Sequence, residues 1–444
     1  MGRTGTRSGE TGQIVDRSKS GKRLGDSGYE FGVFAYNTGS GTWNSAGGST
    51  QPNFMYNQKV DFGTTVSGKW GYAPLKYWPN GIDEGNASTP SKTATQTAIQ
   101  NLSFFAYAPW VSVTAASGIP TGDTTKGIVA LTDNDDTGAP KLTYRYNYSG
   151  TIGSGEKYDL GTTNNVDLLW GTRTTDSYNE TDNTASAKPA ADSQGNSYNV
   201  DLTKQNITET IDFNFKHALA KFGGYEGSKS GIKVVGDFDN NSNTPTTTGS
   251  GSKDAATLIT LNSITISNIS SSNTPNGGVF DLTTGLWTAN TTKISFSNSY
   301  ASADPFPTNL NTQVWEQTTA PTHPSGWSID GVDGTVRDVF VSATDALYFV
   351  PRIDGQKIKI TVQYTVRTYD ENLAAPSVGE VTCSKVVQTI TNEVDISGLL
   401  ENHYYTLVIH LGMTSVKFTA EVSDWTTADS ENNVIWLPSN VVGS

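Results

Sequence analysis

Phe31–Tyr36 reads FGVFAY and Leu102–Tyr107 reads LSFFAY, and these two hexapeptides decide the fold class. In the first, Phe31, Val33 and Ala35 share one face of an extended chain, while Gly32, Phe34 and Tyr36 share the other, because strand side chains alternate with period two. The second is denser in apolar residues, as expected of a strand covered on both sides. Outward from these, Ile211, Phe213 and Phe215 alternate with Asp212, Asn214 and Lys216. Leu258–Ile269 (LITLNSITISNI), Ile358–Val366 (IKITVQYTV), Tyr405–Leu411 (YTLVIHL) and Val416–Val422 (VKFTAEV) continue the β-branched, alternating theme. The one helical candidate, Lys216–Phe222, is short and runs into Gly223-Gly224, so it is read as a strand with a bend. Long helix-period stretches are absent, and the class is all-β.

Composition agrees. The 444 residues carry 45 glycines and 16% charged side chains, the pattern of strands parted by turns. Acidic residues number 43 against 30 basic ones, a net charge of −13, which argues against nucleic acid as a partner because phosphate neutralisation needs a basic stripe. No apolar run reaches the ~18 residues of a membrane-spanning helix. A single cysteine, Cys383, excludes an intrachain disulfide and a cysteine-based metal site. Asn240–Ser252 and Ser177–Ser197 are polar loops.

Several stretches together resemble the fimbrillin family of Bacteroidetes, in particular its Mfa-like branch: FGVFAY, Pro52–Val60 (PNFMYNQKV), Trp70–Asn80 (WGYAPLKYWPN), LSFFAYAP, Asp167–Gly171 (DLLWG), Phe213–Phe222 (FNFKHALAKF) and the late YTLVIHLG and VKFTAEVSDW. Their order and spacing cover roughly residues 30 to 425. The resemblance implies two transthyretin-like β-sandwich domains in tandem, in a non-catalytic pilus subunit that serves adhesion and needs no cofactor. It implies export as an outer-membrane lipoprotein precursor, removal of an N-terminal strand by a trypsin-like protease, and acceptance of a strand from the next subunit in the vacated groove. Partners would be identical or homologous subunits, with a host or bacterial surface molecule as the adhesion ligand.

On this reading residues 1–28 form a flexible segment in which Arg3, Arg7, Arg17 and Arg23 are the candidate cleavage points. Residues 29–205 and 206–425 are the two sandwiches, and 426–444 a tail. No signal peptide, no lipobox cysteine and no hydrophobic strand before residue 29 are visible, so the chain is expected to be a trimmed or mature form. In the tail, Val434 and Trp436 alternate with Ile435 and Leu437, making this the candidate donor strand. The same segment packed onto its own domain is the competing reading, and stalk and tip positions stay open.

Other chemistry is thin. His217, His323, His403 and His410 form no i, i+4 pair and are read as structural. Asp133–Gly138 (DNDDTG) and Asp237–Asn241 (DFDNN) lack the glycine or terminal acid of a calcium loop and read as solvated turns. Gly249–Lys253 (GSGSK) is a linker rather than a phosphate loop. Trp70, Tyr72, Tyr77 and Trp78 are expected to pack, as are Trp110, Trp287, Trp315 and Trp327; exposed, they would instead serve a monomeric glycan-binding module, the alternative function. A glycoside hydrolase would need two facing carboxylates, and nothing singles out such a pair.

Overall fold

The computed structural model describes residues 30–62, 70–79, 100–113, 127–151, 154–160, 165–172, 199–202, 211, 213–223, 225–226, 229–230, 232–237, 257–269, 274–301, 336–338, 346–370, 372–374, 376, 382–412 and 416–424. Among them strands are the dominant regular structure. Helix is confined to Trp43–Ala46 and the 3-10 turn Gly47–Ser49.

FGVFAY opens the Phe31–Gly39 strand, which lies inside a six-stranded antiparallel sheet. The order is Asn214–His217, Leu169–Thr172, Asn101–Ala108, Phe31–Gly39, Met55–Phe62 and Trp70–Gly71. The two hexapeptides pair directly, with Phe34 opposite Phe105. Both faces of this sheet are buried. Phe34, Tyr36, Phe105, Tyr107 and Trp170 enter the main core. Phe31, Val33, Ala35, Phe104 and Leu169 form a second cluster, flanked by the partly buried Trp70, Trp78, Phe213 and Phe215. The apolar density of LSFFAY has this as its cause: a strand with no wet face tolerates no polar alternation.

The bend expected within 216–222 is present. One strand ends at His217, another spans Ala220–Phe222, and the buried Ala218 and Leu219 join them. The Ala218 amide donates to the Leu168 carbonyl (2.8 Å), and Ala218 and Leu219 carbonyls accept from Trp287 Nε1 (2.7 Å) and the Asn402 amide (3.2 Å). These three bonds hold the crossing as it carries the chain into a second sheet, giving partners to buried backbone groups that leave the first ladder.

That second sheet is mixed. His403–Gly412 is paired along its length by the antiparallel Val416–Asp424. Its other edge is shared by Ala220–Phe222 and Ile232–Asp237, both parallel to it and laid end to end. A third sheet runs Trp287–Ala289, Gly277–Asp281, Lys141–Arg145, Ile128–Leu131. Here strands from either side of residue 205 are neighbours, with Val279 opposite Thr143. One continuous core cluster accordingly reaches from Phe34 to Ile409. A fourth sheet holds the longest strands, in the order Ser297–Ala301, Thr257–Asn268, Lys357–Tyr369, Cys383–Asp395. Its apolar face presents Ile264, Ile266, Ile358, Ile360 and Val362 to the core.

Candidate functional site

A protein that joins others by strands needs strand edges whose N–H and C=O groups are not already spent. In the first sheet, Trp70–Gly71 covers only Asp61 and Phe62 of its neighbour, so no strand lies beside residues 55–60 on that side among the described residues. Side chains close part of this edge. The Asn57 carbonyl accepts from Trp110 Nε1 (3.1 Å), and Gln58 Nε2 donates to the Ala73 carbonyl (3.1 Å).

The edge is organised by a bulge. Tyr56 and Asn57 together stand opposite Phe34, and Asn57 takes φ +44°. The left-handed conformation, which Asn tolerates better than most residues, turns its side chain inward. Its Nδ2 donates to the Val111 carbonyl (2.8 Å), and its Oδ1 accepts from the Tyr107 hydroxyl (2.6 Å). Burial pushes the Tyr107 phenol well up, so it remains a neutral donor at any physiological pH. Gly32 makes room for this ring, since a methyl there would overlap Tyr107. Beside the network, Glu30 is tied by its carboxylate to Lys59 Nζ (2.7 Å) and by its carbonyl to the Trp110 amide. The start of the described chain is therefore anchored seven residues beyond Arg23, the last candidate cleavage point.

A second edge is longer and barer. Cys383–Asp395 pairs all thirteen of its residues with Lys357–Tyr369 and, among the described residues, is the last strand of its sheet. Lys385 through Thr389 are exposed on both faces, with Val386 46% and Val387 54% accessible. Nothing in the sequence reading drew attention to this strand. The signal was present, in the uncharged VVQTITN run between Lys385 and Glu393.

Val434, Ile435, Trp436 and Leu437, and likewise Arg3, Arg7, Arg17 and Arg23, lie outside the described residues. So do His323, Trp315, Trp327, Phe238–Asn241 and Gly249–Lys253. Elsewhere the expected roles can be followed. His217 Nδ1 bonds the buried Asp167 carboxylate, and its amide donates to Asn402 Oδ1 (3.3 Å), a cross-brace rather than an open site. His403 Nδ1 contacts the Glu401 carbonyl (2.8 Å). The acidic turn closes on itself, with the Asp133 amide donating to Asp136 Oδ2 (3.1 Å). Tyr56, pushed up to about 12 by burial and then by Asp133, Asp136 and Asp135, donates to the Thr132 carbonyl beside that turn. Among the described residues no group of three His, Cys, Asp or Glu side chains is placed to hold a metal ion.

The aromatic expectations divide. Trp70 stacks edge-on against Phe31 (5.0 Å between centroids), Trp78 against Phe104 (5.8 Å), and Trp287 packs on Phe280 (4.9 Å). Tyr77, expected to pack, is instead 79% exposed, with Leu75 beside it at 62%. The loop between Tyr72 and Trp78 bows away from the sheet, its turn held where the Tyr72 hydroxyl meets the Lys76 amide and carbonyl (3.4 and 3.3 Å). Side chains at its crest have no surface to cover.

No protein-family model matches the chain. It is similar to the fimbrium subunit Fim1C of Phocaeicola vulgatus, 25% identical over an alignment of 421 residues that covers 91% of this chain and 84% of that protein. A crystal structure of a fimbrial protein from Bacteroides vulgatus shares the fold, with a TM-score of 0.53 and 22% identity over 89% of this chain and 93% of that one. The resemblance read from the sequence stretches thus holds along nearly the whole length.

Proposed function

We propose that the chain is a structural, non-catalytic subunit of a cell-surface fimbria. Similarity to a named fimbrium subunit over nine-tenths of the chain is the observation that carries this reading. The finer account is strand complementation. A trypsin-like cut after one of Arg3, Arg7, Arg17 or Arg23 opens a slot, and Val434–Leu437 of the neighbouring copy fills it. The physics is that of any incomplete sandwich: an inserted strand satisfies the exposed ladder while its alternate side chains enter pockets. Because donor and slot are different surfaces, the contact is head-to-tail and propagates a filament. A cut anywhere up to Arg23 spares the Glu30 anchor, so the trimmed molecule keeps its first sheet.

The tandem transthyretin-like description, the adhesive role at the cell surface, and lipidation of an outer-membrane precursor complete the proposal by family analogy. Deletion of Asn432–Ser444 should leave a folded monomer that forms no filaments after trimming. An unfolded truncation, or filaments grown from it, would remove the donor role from Val434–Leu437.

A further inference from the structure

We infer that the Cys383–Asp395 edge is a lateral docking surface for the same edge of a second copy, paired antiparallel about a two-fold axis at Thr389. The inference starts from an anomaly of protection. Natural edge strands are kept short, bulged, covered or charged in the middle. This one runs thirteen residues in unbroken register with its single neighbour among the described residues. Its charges sit toward the ends, at Lys385, Glu393 and Asp395, and the seven residues between Lys385 and Glu393 contain no charge, proline or glycine. Windows of that length and composition are the ones that add strands most readily. Val386 and Val387, in the same window, are half exposed on opposite faces.

Self-complementarity selects the occupant. Only the axis at Thr389 overlaps all thirteen residues, since each residue then faces the one equally far beyond the centre. In that register Lys385 lies opposite Glu393 of the second copy, twice over by symmetry. Val387 faces Thr391, a cross-strand pair of the β-branched kind that favours sheets, while Gln388 faces Ile390 and Val386 faces Asn392. The outer faces of the two copies align, and the exposed Thr361–Thr391 and Gln363–Thr389 ladder continues across the join. An interface of one strand pair is small, in the class below ~1,200 Å² that supports transient contacts. Repeated along two filaments it becomes multivalent, and lateral bundling follows from many weak joins.

The test uses the full 444-residue chain without protease treatment, which on the proposed function keeps head-to-tail assembly out. Sedimentation velocity is run up to about 1 mM, where even a millimolar contact populates dimers. The wild-type chain should show a monomer–dimer equilibrium. Val387→Lys with Thr391→Lys sets lysines opposite one another in the proposed register, on exposed positions that leave the fold intact, and should weaken association at least tenfold. Thr389→Cys should oxidise to a disulfide dimer at least tenfold faster than Thr391→Cys, whose thiols the register holds ~14 Å apart, beyond the ~7 Å Cα limit of a disulfide. A wild-type chain monomeric throughout, equal cross-linking rates, or a Thr389→Cys chain that links to a Trp436→Cys chain in preference to itself would overturn the inference.

Discussion

Gly277→Ala should lower the melting temperature by roughly 6 °C or more, or prevent recovery of folded protein, because the substitution costs about 3–5 kcal/mol. Gly277 takes φ +151°, a conformation closed to residues with a Cβ. A methyl there would also overlap the Tyr144 carbonyl oxygen and lie 2.8 Å from Arg145 Cα. These atoms are backbone of the neighbouring strand, so no rotamer change relieves the clash, and Gly277–Asp281 must separate from Lys141–Arg145. That pairing joins strands on either side of residue 205, and Tyr144 and Phe280 on it belong to the main core. Gly355 is the control: it has φ +70° but open space around the added methyl. Gly355→Ala should lose only about 1 kcal/mol of conformational energy. Equal melting temperatures for the two variants would mean that the two strands are not in contact as described.

Asn57→Ala carries the second large effect, again about 3–5 kcal/mol. It deletes two buried hydrogen bonds: the Tyr107 hydroxyl, which still accepts from the Val111 amide (3.4 Å), loses the acceptor for its proton, and the Val111 carbonyl loses the Asn57 donor, each loss costing about 1–3 kcal/mol. It also places an alanine at φ +44°, adding about 1 kcal/mol. Asn57→Gly separates the two parts, since glycine relieves the backbone term and keeps the orphaned groups. Thermal unfolding should therefore rank wild type above Asn57→Gly above Asn57→Ala. If the glycine variant melts with the wild type, the hydrogen-bond network contributes nothing measurable. In Asn57→Ala, chymotrypsin should also cut more readily beside Glu30, at Tyr29 or Phe31, because Trp110, which holds the Glu30 carbonyl, bonds the Asn57 backbone.

The strands were legible because their physics is local. Alternation in FGVFAY sorts Phe31, Val33 and Ala35 from Phe34 and Tyr36, and the structure sends these two sets to two different clusters. The break at Ala218-Leu219 was visible in the glycines that follow it. Partner choice was not legible. Lys141–Arg145 and Gly277–Asp281 are far apart in the chain, and neither contains a feature that names the other. The helix Trp43–Ala46 is only four residues, less than one period of evidence beyond a single turn. Asn57 escaped notice because a left-handed Asn inside a strand has the same sequence signature as an ordinary polar position. Tyr77 was misjudged for a similar reason: aromatic density signals packing only where the backbone stays on the sheet, and here it bows outward. The bare edge at Val386–Val387 reads locally like any central strand, and its position at the end of a sheet is a property of topology.

What unites these elements is the claim that separate copies are joined when a strand of one completes the sheet of the next. Electron microscopy of the chain after limited trypsin digestion tests this most directly. Trimming within residues 1–28 should convert monodisperse protein into filaments in which each subunit remains folded from Glu30 onward. Cleanly trimmed protein that stays monomeric at every concentration would contradict the account.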